Sequence, residues 1–263
     1  MSTADTNIAA LRTGHDTLTV LVSEFGDDDL ARPSGAAEWD IAKVLSHLGS
    51  GADIARATVR AALDGAPNPG RDFNATVWDR WNAMSRREQA DGFVRSDQAL
   101  VELYESMDAE TRGTLRIDVG FMPAPVDVAT AARLRLSEQA LHSWDMHVGL
   151  DENATLAPEA AGPLLQGTND LLGWIGKSDQ LAGRHAVIQV TTTGPASVFA
   201  LRLGDRISVD SDVPERPDGT LALPAEAWLR LVAGRLAPRY TPDEVSATGA
   251  ADLELLRRVF PGY

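Results

Sequence analysis

Residues 135–145 read Arg135-Leu136-Ser137-Glu138-Gln139-Ala140-Leu141-His142-Ser143-Trp144-Asp145. At ~100° per residue, Glu138 and His142 lie ~40° apart on one face of a helix and can share a ligand. Asp145 falls ~20° to the other side of Glu138, and Ala131, Leu134 and Leu141 occupy the same broad stripe. A stripe of this period marks a helix that turns this face inward, where polar groups need partners. His147 is nine residues from Glu138, ~180° around the helix, and cannot serve the same site.

Working outward, this helix is expected to span about Val126–Gly149, behind Pro123 and Pro125. Three more helical stretches precede it. Asp5–Ser23 places Ile8, Leu11, Leu18 and Leu21 on a buried stripe and stops before Gly26. The second starts at Trp39 and Asp40 and runs through Val44, Leu45, Leu48, Ile54, Val59 and Ala62 to a stop at Gly65-Ala66-Pro67. The third is predicted over Asn82–Met107, with Gly92 weakening its middle. Pro67–Phe73 reads as loop, and Thr114–Val119 as a short strand or extended connection. Four long helices predict a helical bundle.

After about Gly183 the period changes from 3.6 to 2. Ala186–Thr193, Ser197–Leu203, Arg206–Asp210, Leu221–Leu223 and Glu244–Thr248 read as strands, with turns at Gly194-Pro195 and Gly204-Asp205. Pro224–Gly234 and Ala250–Phe260 read as helices. The expected fold class is α plus α+β: a four-helix bundle over residues 1–180 and a small α+β domain over 181–263. Charge divides the same way, since 24 basic and 38 acidic residues leave −14 overall, of which residues 181–263 carry 9 − 10 = −1.

Composition excludes several functions. A chain this acidic, with no cluster of basic residues in its sequence, is not expected to bind nucleic acid, which requires Lys and Arg against phosphates. No apolar run approaches the ~18 residues of a membrane span, so no membrane partner is expected. Met1–Asp5 lacks the basic and apolar regions of a secretory signal, which points to the cytoplasm. The chain has no cysteine, so disulfides, Cys-ligated zinc, Fe–S clusters and a Cys nucleophile are all excluded. Any thiol chemistry has to borrow its thiol.

Of five histidines, His47 lies on or beside the buried stripe of the second helix. An imidazole there, facing the Glu138/His142 pair, makes a two-His, one-carboxylate set with coordination positions left open. Such a set suits catalytic zinc, and also nickel, iron or manganese. Spacing alone fits equally an ordinary Glu/His surface pair and a lone core histidine.

Trp39-Asp40-Ile41-Ala42-Lys43-Val44-Leu45-Ser46-His47-Leu48 resembles the metal-binding helix of the DinB-like superfamily, and residues 135–145 resemble its second ligand helix. The chain is most similar to the mycothiol-dependent maleylpyruvate isomerase branch, whose members add a sterol-carrier-like domain. Asp218-Gly219-Thr220, Leu223–Trp228 and Leu231–Leu236 resemble that domain. The resemblance implies that His47, Glu138 and His142 are the metal ligands, zinc foremost, and that Arg235 serves the active site. Asp145 is read as orienting a ligand imidazole or the site's water; a helix-end role capping carbonyls near Gly234 is the alternative for Arg235. The implied cofactors are a divalent metal and mycothiol, whose thiolate attacks a small electrophile. In maleylpyruvate-type cis-trans isomerisation the thiolate adds to the double bond, the resulting single bond rotates, and the thiolate leaves; loss of another group makes the outcome thiol S-transfer. The alternative function is a metal-containing small-molecule carrier without turnover. A monomer or homodimer is expected.

Overall fold

The computed structural model describes residues 1–167, 172 and 175–262. The chain forms two compact units, residues 1–151 and 152–263.

The first unit holds α1 (Thr3–Glu24), α2 (Asp27–Leu30), α3 (Ile41–Leu63), α4 (Gly70–Asn82), α5 (Arg86–Glu105), α6 (Ala109–Thr114), β1 (Arg116–Ile117), β2 (Val126–Asp127) and α7 (Val128–Val148). The long helices α1, α3, α5 and α7 are the expected bundle. Each starts on a side-chain cap: Ser2 and Asp5 form a capping box at α1, Asp40 accepts from the Lys43 N–H at 2.8 Å, and Asp127 accepts from the Thr130 N–H at 2.7 Å. The core between the helices includes Leu18, Val22, Leu30, Ile41, Val44, Leu45, Leu48, Phe93 and Met146, all buried.

The main differences from the sequence expectation in this unit have local reasons. The third long helix begins at Arg86, because Ser85 and Glu88 form a capping box there. The stretch before it forms a separate helix, α4, which includes the end of the predicted loop Pro67–Phe73. Thr114–Val119 contributes only Arg116–Ile117 to a strand, paired antiparallel with Val126–Asp127, so α7 starts two residues later than predicted.

The helix α5 runs unbroken through Gly92, which makes room for Trp81. A Cβ at Gly92 would lie 2.9 Å from the Trp81 ring, and one at Gly49 on α3 would lie 2.1 Å from it. Trp81 is therefore wedged against two helices through glycines, with its indole N–H donating to Asp53 at 3.0 Å.

The second unit holds α8 (Pro158–Gly167), β3 (Ala186–Thr193), β4 (Ser197–Leu203), β5 (Ser208–Asp210), β6 (Gly219–Pro224), α9 (Ala225–Val232), β7 (Ser246–Gly249) and α10 (Leu253–Val259). Its sheet has the order β5-β4-β3-β6-β7, with β3 and β6 parallel and the other neighbours antiparallel. Trp228 on α9 packs edge-on to Phe199 and Phe260, at 5.1 and 6.5 Å between centroids. The architecture is α plus α+β, as expected, but the division falls at 151/152, not 180/181. The switch of period near 183 marks where strands begin, whereas α8, still helical, packs on α9.

Gly49→Ala is expected to destabilise the first unit. The helix-propensity gain of up to about 1 kcal/mol is outweighed by forcing a boxed-in indole to move, about 1–3 kcal/mol. Gly113→Ala on α6, where a Cβ meets nothing within 4 Å, should be neutral or stabilising. Urea unfolding of the two variants checks both signs.

Candidate metal centre

His47 projects from the second turn of α3, and Glu138 and His142 from consecutive turns of α7. The sequence cannot show that the two helices face each other; the fold brings them together. His47 Nε2 lies 3.0 Å from Glu138 Oε2, and His142 Nε2 lies 3.7 Å from the same oxygen. One ligand atom from each of the three residues falls within 4.8 Å of the others, the one such group of metal-capable side chains among the described residues. The two imidazoles meet edge to face, 4.6 Å between centroids.

Asp145 stands behind the His142 ring, on the side away from Glu138. Its Oδ2 lies 2.8 Å from His142 Nδ1, and its side chain is fully buried. A carboxylate there draws the ring proton to Nδ1 and leaves the Nε2 lone pair facing Glu138, the tautomer that a cation needs. The chemistry of this donor set, two nitrogens and an oxygen with one imidazole already oriented, fits a divalent cation with open coordination positions. Burial pushes the Glu138 carboxyl up, but the His47 hydrogen bond and the nearby His142 and Arg135 outweigh burial and hold its pKa below the ordinary value. Glu138 is therefore ionised and competent as a ligand at neutral pH.

His147 is absent from the group, as helical geometry predicts; burial lowers its pKa. Arg235 lies in the second unit, just past α9, where Gly234 (φ 73°) reverses the chain and the guanidinium donates to the Ala233 carbonyl at 3.1 Å.

Two features of the centre were not singled out in the sequence. Trp39, immediately before the N-cap of α3, covers both imidazoles, with ring centroids 5.2 Å from His47 and 5.9 Å from His142. Its position one residue before Asp40 gave no sign of this, because the approach depends on α7. The second feature is a buried polar network beneath Glu138. Arg135 Nη2 donates to Asp97 Oδ1 at 2.7 Å and to the Leu48 carbonyl at 2.9 Å; Gln139 donates to Asp97 Oδ2 at 2.9 Å, and His15 Nδ1 lies 3.0 Å from that oxygen. Burial raises the Asp97 pKa, but the charge of Arg135 and the hydrogen bonds from His15 and Arg135 more than offset it, and the net shift is downward. The only hint in the sequence is an Asp at an inward position of α5.

The fold has counterparts among known proteins. The family model of the mycothiol maleylpyruvate isomerase N-terminal domain matches residues 11–147, more than half of the chain. The chain belongs to this family. The matched segment of the mycothiol maleylpyruvate isomerase N-terminal domain contains His47, Glu138, His142 and Asp145. Two solved structures resemble the whole chain. One is a crystal structure of the mycothiol-dependent maleylpyruvate isomerase, 12% identical, covering 95% of this chain and 94% of that one at a TM-score of 0.64. The other is a point mutant of the mycothiol-dependent maleylpyruvate isomerase, 11% identical, with the same coverage and TM-score. At these identities the likeness concerns the fold. No curated protein matches in sequence.

Asp97→Asn is expected to cost about 3–5 kcal/mol at pH 7, because it leaves Arg135 buried without its counter-charge. Since the native Asp97 pKa is depressed, its contribution is complete above the unfolded-chain value of about 3.9 and is lost as pH falls below it. The gap in urea stability between wild type and Asp97→Asn should therefore narrow below about pH 4; a constant gap would show that Asp97 contributes nothing through its charge.

Proposed function

We propose that this chain is a metal- and mycothiol-dependent isomerase acting on a small electrophilic alkene of the maleylpyruvate type. The observation that carries this reading is the convergence of His47 Nε2, His142 Nε2 and Glu138 Oε2, with Asp145 holding the far nitrogen of His142. Family membership and the mycothiol-dependent maleylpyruvate isomerase structures of like fold support it.

In this reading His47, Glu138 and His142 hold a divalent cation, zinc by preference for the donor set. When bound, the cation supplies the Lewis acidity that keeps the cofactor sulfur as thiolate near neutral pH, against a free thiol value of about 8.5. The chain's own residues prepare the site. Asp145 fixes the His142 tautomer, Glu138 is already ionised, and Trp39 packs against both imidazoles. With no cysteine in the chain, mycothiol meets no competing thiol. Bound beside the cation, mycothiol would supply a nucleophile able to add reversibly to one alkene carbon, so that the former double bond could rotate before the carbon–sulfur bond broke and the thiolate was returned. Isomerisation returns the thiol whereas S-transfer consumes it; the isomerases among the family and the like-folded structures support the first. Arg235 is assigned to the substrate carboxylate.

His47→Ala and His142→Ala are expected to lose bound metal, measured by elemental analysis, while keeping helical circular dichroism. Asp145→Asn should retain both imidazoles yet weaken metal binding by about 10–100-fold. Wild type with metal should lower the apparent pKa of added mycothiol, read from thiolate ultraviolet absorbance; an unchanged thiol pKa would sink the thiol-activation reading. Substoichiometric mycothiol should support many turnovers, since consumption of one thiol per product would instead mark an S-transferase, and binding without turnover a carrier. Arg235→Ala is expected to cut turnover without changing metal content; equal loss of both would make Arg235 structural.

A further inference from the structure

On the far side of α3 from the metal centre, α3 and α4 border a cavity of about 310 Å³. Its α3 wall carries Asp53, Arg56 and Arg60, and its α4 wall carries Phe73, Val77 and Arg80. Arg56 is nine residues from His47, ~180° around the helix, so the cavity and the metal centre occupy opposite faces of one element.

The charges in this cavity do not balance. Asp53, its single carboxylate, already accepts from the Arg80 guanidinium and the Trp81 indole. Neither the half-buried Arg56 nor the exposed Arg60 has a side-chain hydrogen bond or a carboxylate partner among the described residues, and Arg56 Nε is itself buried with nothing to donate to. A buried donor left unsatisfied costs about 1–3 kcal/mol. Arg56 and Arg60 are also i, i+4 neighbours of like charge, an arrangement that costs an isolated helix about 0.2–0.5 kcal/mol. These two cations stay together in a protein of net charge −14, where carboxylates to neutralise them abound.

We propose that this cavity is a binding site for a small organic carboxylate. Arg56 and Arg60 supply two guanidiniums for the anionic end, while Phe73 and Val77 give an apolar wall for a ring or short chain. The cavity lies at the small end of the roughly 300–1,000 Å³ range of ligand pockets, which limits the occupant to a compact molecule. The site stands independently of the metal centre and of the reaction proposed there.

Phthalate tests the proposal, with the neutral diamide phthalamide as its uncharged counterpart and inorganic phosphate as an anion without an apolar body. Isothermal titration of the full chain is expected to show one saturable phthalate site, with phthalamide and phosphate each at least tenfold weaker. The indole N–H resonance of Trp81, bonded to Asp53 beside the cavity, should shift on saturation. The double variant Arg56→Gln/Arg60→Gln, which breaks no internal contact, is expected to keep its urea midpoint and lose at least tenfold in phthalate affinity. His47→Ala/His142→Ala should bind phthalate as wild type does. No saturable binding, equal affinity for phthalamide or phosphate, or undiminished affinity in the arginine variant overturns the proposal. So does loss of binding in the histidine variant, which would move the ligand to the metal centre.

Discussion

A single buried ion pair, Arg135 with Asp97, joins the four long helices of the first unit. Asp97 on α5 accepts from Arg135 and Gln139 on α7 and lies within hydrogen-bond distance of His15 on α1, while Arg135 also donates to the Leu48 carbonyl on α3. Two ions removed from water in this way gain little over an apolar pair, but separating them leaves an uncompensated charge in the core. What the pair supplies is register. Apolar ridges tolerate sliding by a turn at modest cost, whereas a guanidinium with two fixed acceptors does not.

That register sets the geometry of the candidate metal centre. The Leu48 carbonyl follows His47 directly, Arg135 precedes Glu138 by one turn, and Gln139 is the residue after Glu138. Fixing Leu48 to Arg135 therefore fixes the approach of His47 to Glu138 to within the 3.0 Å observed. The arrangement is layered: an ion pair in the core, the candidate histidine and carboxylate ligands above it, and Trp39 against the imidazoles. Asp145 serves the same purpose from within α7, orienting one ring by a contact between neighbouring turns.

The face of α7 was legible in the sequence because it depends only on the 3.6-residue period. Glu138, His142 and Asp145 share it and His147 does not, and no tertiary contact can change this. The strands of the second unit are local in the same sense. Helix α4 and the true start of α5 were not legible. The capping box at Ser85 and Glu88 competes with a helical pattern that continues through it, and Gly92 reads as a breaker until Trp81 is seen against it. The boundary at 151/152 escaped for a related reason: periodicity reports the kind of element, not which core it joins.

The sequence by itself determined the elements, the faces of the helices, the acidity of the helical part, and the absence of any thiol of the chain's own. These follow from backbone periodicity and composition, which act over a few residues at a time. Only the tertiary structure decided that His47 meets Glu138 across 91 positions of chain, and that His15, Asp97 and Arg135 share one network. It also gathered arginines 56, 60 and 80, unremarkable in a chain whose sequence shows no basic cluster, around one cavity. The reason is the same in each case: packing two helices converts a face, which is local, into a site, which needs a partner whose register is set by burial elsewhere.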